Sequence, residues 1–208
     1  IYDSNRYTLT QLLKSVGCEV VDLGILEDDP KIIADALLSA TIKFDLILTS
    51  GGVSTGEEDH VRKVVENEGS LLFWRLAIKP GRPVALGQIN DTVFIGLPGN
   101  PVAAMVTFLQ IARPIILKLS GANDTVPKLF SVQSDFSYKK KLHRREYVRV
   151  QIKKNGNGKL IAKKYQREGA GILSSMVFAD GFVELSEDIV NVEKGDFVNY
   201  IPFSELGL

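Results

Sequence analysis

Apolar positions along this chain follow two different rules, and the change from one to the other falls near residue 120. Leu9, Leu12, Leu13 and Val16 recur at helical spacing, with Ser4 or Asn5 placed to cap the helix and Gly17 to stop it. Glu19 to Leu23 reads as a short β-branched strand, opened by Cys18 as a core residue. Asp28-Asp29-Pro30 is a helix start, with an acidic cap and proline in the first turn. The apolar face of that helix is Ile32, Ile33, Ala36, Leu37 and Ala40. Asp45 to Thr49 is almost continuously apolar, as suits a strand covered on both faces of a parallel sheet. A helix over Glu57 to Asn67 follows, then strands over Leu71 to Ile78, Val84 to Leu86 and Thr92 to Ile95. A long apolar helix runs from Pro101 to about Leu119. Repeated units of this kind predict a parallel sheet with right-handed crossovers.

Beyond Gly121 the helical period gives way to short alternating stretches. These are Phe130 to Phe136, Tyr147 to Ile152, Leu160 to Tyr165, Gly181 to Leu185 and Asp196 to Ile201. Asn155-Gly156-Asn157-Gly158 between two of them is a hairpin turn. The expected fold class is therefore α/β: a three-layer, parallel-sheet nucleotide- or pterin-binding domain over residues 1–121, followed by a small all-β, barrel-like domain over residues 122–208. The opening Ile1-Tyr2-Asp3-Ser4-Asn5 reads as a loop entering a helix, so the first domain is expected to lack its first strand.

Composition narrows the chemistry. With 25 basic and 25 acidic residues, the net charge is zero, which argues against a nucleic-acid partner held by bulk charge. A single cysteine leaves no intrachain disulfide, and His60 and His143 lack ligand-spaced partners for zinc. The sequence suggests no bilayer-length apolar run and no membrane partner; a reducing cytoplasm is the expected location.

Three loops are placed where ligands bind an open parallel sheet, beyond the carboxyl ends of its strands. The first, Ser50-Gly51-Gly52-Val53-Ser54-Thr55-Gly56, offers backbone N–H groups and hydroxyls to an anion, and Asp59 follows where a carboxylate can hold magnesium. The second, Lys79-Pro80-Gly81-Arg82-Pro83, holds two cations in a short stiff loop able to clamp an oxyanion. In the third, Gly96-Leu97-Pro98-Gly99-Asn100-Pro101, Asn100 caps a helix with proline at its first position. Each loop also has a plain structural reading as a turn or cap. Together they describe a phosphoanhydride site without a Walker lysine. The basic run Lys139-Lys140-Lys141 with His143-Arg144-Arg145 reads as a solvated face or as a wall of an anion cleft.

The combined loops, with Asp3-Ser4-Asn5-Arg6, Leu23-Gly24-Ile25 before Asp28-Asp29-Pro30, and Ile172-Leu173-Ser174-Ser175-Met176 before Ala179-Asp180-Gly181, resemble the MoeA and gephyrin E-domain family. The resemblance implies a transferase that takes adenylylated molybdopterin and molybdate, uses magnesium, releases AMP and leaves molybdenum on the pterin dithiolene. It implies that Asp59 is the essential acidic position and magnesium ligand. Lys79 and Arg82 become the basic pair for phosphate or molybdate. Ser50, Gly51, Gly52, Ser54 and Gly56, with Pro98, Gly99 and Asn100, become the pterin-phosphate loops, and Arg149 and Ser175 the molybdate contacts. It also implies a homodimer formed through further N-terminal domains, and the adenylyltransferase of the same pathway as a partner. One departure is visible: His60-Val61-Arg62 stands where many members carry Tyr-Thr-Lys. Two alternatives remain at this point: a molybdopterin adenylyltransferase, and a non-catalytic pterin-binding scaffold.

Overall fold

The computed structural model of the chain describes residues 3–53, 60–167 and 169–208. Helix α1 (Ser4–Ser15) is capped by Asp3, whose carboxylate accepts from the Arg6 N–H, so neither Ser4 nor Asn5 serves as the cap. Gly17, at φ +86°, turns the chain out of the helix. Helix α2 (Pro30–Thr41) starts as the sequence indicated: Asp29 accepts from the N–H groups of Lys31 and Ile32. Between them the expected strand over Glu19 to Leu23 is absent. Residues 18–27 pair with no described strand, and Val21, Leu23 and Ile25 are exposed. A β-branched run becomes a strand only where a neighbour completes its ladder. Cys18 accordingly sits half-buried past the helix end, not in a core strand.

The chain continues through β1 (Leu46–Ser50), α3 (His60–Glu68), β2 (Gly69–Arg75), β3 (Ile78–Lys79), β4 (Pro83–Ile89) and β5 (Thr92–Leu97). A helical run follows: α4 (Pro101–Thr107), a π-type turn (Phe108–Ala112) and α5 (Arg113–Leu119). Two compact units result. The first is Ile1–Leu76 with Gly81–Phe108; the second is Ala77–Pro80 with Leu109–Leu208. The boundary read from the sequence lay at residues 121 and 122. The structure divides the chain inside the helical run and also gives β3 to the second unit. Two residues of strand carry no readable period, so only their pairing shows where they belong.

In the first unit the sheet order is β1-β5-β4-β2. Only β1 and β5 run parallel; β5 with β4 and β4 with β2 are antiparallel. The parallel pairing expected from the sequence is thus present between β1 and β5, and the other strands join the sheet antiparallel. The reason is local: Asn90 and Asp91 alone join β4 to β5, with Asn90 at φ +50°, and a parallel connection needs a far longer crossover. Ile33 and Leu37 of α2 and Val64 and Val65 of α3 pack on one face against Ile47, Ala85, Ile89 and Phe94. Ile95 and Leu97, alternating with Phe94, are buried on the other face, where α4 packs on β5 and α1 on α4. This is the three-layer arrangement.

The helical run Pro101–Leu119 is long and apolar enough to cross a bilayer, which corrects the reading that no such segment exists. Of its 18-residue apolar window 56% is buried inside the protein, as in a core helix.

The second unit contains β6 (Phe130–Ser134), β7 (Tyr138–Lys139), β8 (Arg145–Lys154), β9 (Leu160–Lys164), α6 (Ser174–Phe178), β10 (Gly181–Leu185), β11 (Asn191–Val192) and β12 (Phe197–Pro202). The strand order β10-β12-β6-β9-β8 closes on itself because β8 also pairs with β10, and β3 adds to β8 in parallel. Val132, Val148, Val150, Ala162, Val183, Leu185, Val198 and Tyr200 fill this barrel. The β8–β9 hairpin is made as expected: Asn155 Oδ1 accepts from the N–H groups of Asn157 and Lys159, and Gly158 takes φ +75°. The strands therefore match the alternating stretches closely.

Glu146 shares the inward face of β8 with Val148 and Val150, yet it is charged and only 1% exposed. Tyr138 Oη donates to its Oε2 at 2.7 Å, and Arg144 Nε donates to its Oε1 at 3.0 Å. Burial pushes this carboxyl up, but the hydrogen bonds from Tyr138 and Arg144 and the charges of Lys79 and Arg144 outweigh it and hold the group below its ordinary value. Lys140 of the basic run is buried as well, its ammonium donating to the carbonyls of Lys141 and Arg144 at 3.2 and 2.6 Å. That part of the run closes a turn and does not form a solvated face.

Gly181 lies between β12 and β8, and a Cβ there would stand 2.1 Å from the Ile201 carbonyl oxygen. Gly181→Ala should cost about 3 kcal/mol and lower the melting temperature by roughly 6–12 °C, as a thermal melt would read.

Glu146 makes a second prediction. Because its folded value is depressed, its stabilisation is fully present above about pH 4.3, the ordinary glutamate value, and is lost as pH falls through the folded value. Glu146→Gln should therefore lower stability at pH 7 and flatten the acid limb. Denaturant unfolding of both proteins across that range tests this, and acid limbs that fall in parallel would contradict it.

Candidate functional site

Strands β1 and β5 end level with one another, Ser50 opposite Leu97, so the loops that follow them leave from one edge of the sheet. That edge is where ligands bind in open α/β sheets. Several contacts bind the two loops together. The Gly51 N–H donates to the Leu97 carbonyl at 2.9 Å. Asn5, only 7% exposed, donates from Nδ2 to Ser50 Oγ at 2.8 Å and to the Gly99 carbonyl at 2.8 Å. Ser50 Oγ donates onward to the Pro98 carbonyl at 3.4 Å. Because Asp3 caps the helix, the Asn5 amide is left to act as a clasp.

Gly51 at φ +87° and Gly52 at φ +67° make the turn itself, which L side chains rarely allow. A Cβ on Gly52 would also stand 2.7 Å from Val61 Cγ2. Asn100 holds the cap position of α4 in extended backbone but makes no side-chain capping bond, so the exposed amide is not consumed by the helix end.

The structure thus brings Ser50, Gly51, Pro98 and Gly99 together, with Gly52 and Asn100 at the same loops. Ser50, expected to donate to a ligand, spends its hydroxyl on the clasp. Asn5 went unread in the sequence as anything but a cap, because its partners are 45 and 94 residues away. Ser54, Gly56 and Asp59 lie outside the described residues. Among the described residues no group of three His, Cys, Asp or Glu side chains could hold a metal. The described atoms at these loops are hydroxyls, amides and carbonyls, and magnesium is bound chiefly through carboxylate and phosphate oxygens. On their own they do not make a magnesium site.

Lys79 and Arg82 fall in different units. Lys79, on β3, places Nζ 3.2 Å from Tyr138 Oη and 3.4 Å from Glu146 Oε2, with its side chain 47% exposed. Arg82 is exposed ahead of β4, and its carbonyl accepts from the Leu76 N–H at 3.1 Å. Arg149 lies on β8 three positions beyond Glu146, hence on the opposite face from the partner of Lys79, and donates to the Gly169 carbonyl at 3.4 Å. Ser175 is fully buried in α6, with its hydroxyl donating to the Ile172 carbonyl at 2.6 Å. Arg149 thus points to the face of β8 opposite that of Glu146, and Ser175 spends its hydroxyl within its own turn.

Residues 1–118 match the family described as a probable molybdopterin binding domain, and residues 131–203 match the MoeA C-terminal region, domain IV. The chain is 39% identical to a molybdopterin molybdenumtransferase of Haemophilus influenzae over 99% of its own length and 51% of that protein's. It is 34% identical to the molybdenum cofactor synthesis protein cinnamon of Drosophila melanogaster, over 89% of this chain and 31% of that one. Among solved structures, the molybdopterin biosynthesis MoeA protein of Pyrococcus horikoshii aligns with a TM-score of 0.79 at 26% identity, covering 98% of this chain and 48% of that one. A molybdenum cofactor biosynthesis protein of Pyrococcus furiosus gives 0.77 at 27%, covering 96% and 64%. The chain thus spans about half the length of the Haemophilus relative. The matched C-terminal region also disfavours the adenylyltransferase alternative, for which no such β domain is expected. With a molybdopterin binding domain in its first part and the MoeA C-terminal region in its second, the chain belongs to the MoeA family.

Proposed function

We propose that the protein carrying this chain is a molybdopterin molybdenumtransferase. It takes adenylylated molybdopterin and molybdate, cleaves the phosphoanhydride to release AMP, and leaves molybdenum on the pterin dithiolene. Family membership supports the pterin. The observation that carries the site is the Asn5 clasp, which holds two strand-end loops in one fixed arrangement. A phosphate seated there meets backbone groups that are already oriented, so little reorganisation is needed as charge moves during cleavage.

In this reading Gly51, Gly52, Pro98, Gly99 and Asn100 line the seat of the pterin phosphate, and Ser54 and Gly56 are assigned to binding it. Ser50 belongs to the clasp. Lys79 and Arg82 supply positive charge for phosphate or molybdate, and Arg149 is assigned to molybdate. Ser175 acts through the turn it closes on Ile172, since its hydroxyl is spent there. Asp59 supplies the carboxylate for a magnesium ion, which would neutralise phosphate charge when bound. The protein acts in the cytoplasm as a homodimer, with the pathway's adenylyltransferase as supplier of the substrate.

The test is magnesium- and molybdate-dependent AMP release from adenylylated molybdopterin, measured in the full polypeptide that carries this chain. Asp59→Asn should lose on the order of 100-fold or more in rate. Asn5→Ala, at unchanged melting temperature to within a few degrees, should lose roughly 10- to 100-fold in kcat/KM, because the loops part slightly and misplace the phosphate. Full release by Asp59→Asn would overturn the catalytic assignment, and full release by Asn5→Ala would overturn the clasp.

A further inference from the structure

We infer that Tyr138 and Glu146 form a positioning pair for Lys79, presenting its ammonium to a bound oxyanion. This inference rests on the transferase reading given above for Lys79. Neither residue touches substrate in this scheme, and both act through the lysine.

The geometry is a relay of three groups at the end of the barrel. Tyr138 Oη donates its proton to Glu146 Oε2 at 2.7 Å and accepts from Lys79 Nζ at 3.2 Å. Donation to a buried carboxylate polarises a hydroxyl and makes its oxygen a better acceptor for a cation. The ring is itself fixed, standing edge-on to Phe136 at 86°. The Lys79 ammonium lies 5.8 Å from the ring centroid, and Lys164 brings a second ammonium to 5.2 Å.

The charges decide what this relay is for. Glu146 already has Arg144 on one oxygen and Tyr138 on the other. Lys79 stands 3.4 Å from Oε2, looser than the contacts those two partners make. Glu146 therefore does not neutralise Lys79: two cations, Lys79 and Arg144, face one carboxylate. The lysine keeps net positive charge to offer, and its side chain remains about half exposed. A flexible four-carbon side chain would otherwise sample many rotamers at a site where direction matters. A hydroxyl and a buried carboxylate in series limit that sampling without consuming the charge. Tyr138 Oη touches both the carboxylate and the ammonium, so it couples the direction of Lys79 to the fixed Glu146.

Kinetics in the full polypeptide separate positioning from a merely structural role. Tyr138→Phe removes one oxygen and leaves the ring packing in place. It should raise KM for molybdate roughly five- to tenfold, the loss expected for one hydrogen bond, with kcat within about twofold. Glu146→Gln should act in the same direction. Combined with Lys79→Ala, Tyr138→Phe should add nothing, because both changes remove the same interaction. Additive losses, or an unchanged KM in Tyr138→Phe, would overturn the pairing. If Lys79→Ala alone leaves molybdate use intact, the role given to Lys79 fails instead. The pairing is then judged by the nitrogen-15 signal of the Lys79 ammonium, assigned with Lys79→Arg. That signal should be visible in the unaltered protein and lost in Tyr138→Phe; a signal that persists there would overturn it.

Discussion

The parallel pairing of β1 with β5 is the constraint on which the first unit depends. It sets Ser50 level with Leu97, so both loops emerge at one edge. Only in a parallel pair do two carboxyl ends meet, and only there can the two loops share one set of hydrogen bonds. Asn5 then needs a single amide to hold both. If either strand ran the other way, Gly51 and Gly99 would sit at opposite ends of the sheet. The antiparallel strands β4 and β2 extend the sheet and supply core, and with Ala85 opposite Gly96 and Arg75 opposite Pro83 they bring the start of β4 and the end of β2 to that edge as well.

The second unit meets a different constraint. A small barrel leaves no open edge except where a further strand is added, and here β3 is added to β8. That short ladder is what fixes Lys79 beside Tyr138 and Glu146. Glu146 occupies a position in line with Val148 and Val150, where an apolar residue would pack more cheaply. A buried carboxylate is tolerable because Arg144, Tyr138 and Lys79 satisfy it from three elements. Removing any one partner leaves charge in a poorly solvated place, so the network holds together as a unit.

The two halves of the chain differ in how plainly they can be read. In the β domain, inward and outward residues alternate with little interruption, and the Asn155–Gly158 turn marks its own place. Strand boundaries there agree with the alternation to within a few residues. In the first unit, the run Val20-Val21-Asp22-Leu23 has the composition of a strand but no described neighbour to pair with. Local propensity is satisfied there and the structure is absent, because a strand's hydrogen bonds are made by another segment. The mixed direction of the sheet was legible in principle, since the two-residue link at Asn90-Asp91 forbids a crossover between β4 and β5.

The sequence by itself determined the elements whose cause is local. These are the helices begun by Asp29-Pro30 and Asn100-Pro101, the glycine turn after β1, the hairpins, the alternation of the barrel and the three loops that carry the family resemblance. Caps, turns and periodicity act over a few residues, so they are written in the order of the chain. Tertiary structure alone decided that Asn5 clasps two distant loops, that β3 leaves its neighbours to join the barrel, that Lys140 is buried, and that Ser175 spends its hydroxyl on Ile172. Most of these depend on a partner many residues away or on pairing between elements; even the short Lys140 and Ser175 contacts exist because packing removed water from around them. Which partner a polar group finds once it is buried is set by the fold as a whole, and no local pattern records it.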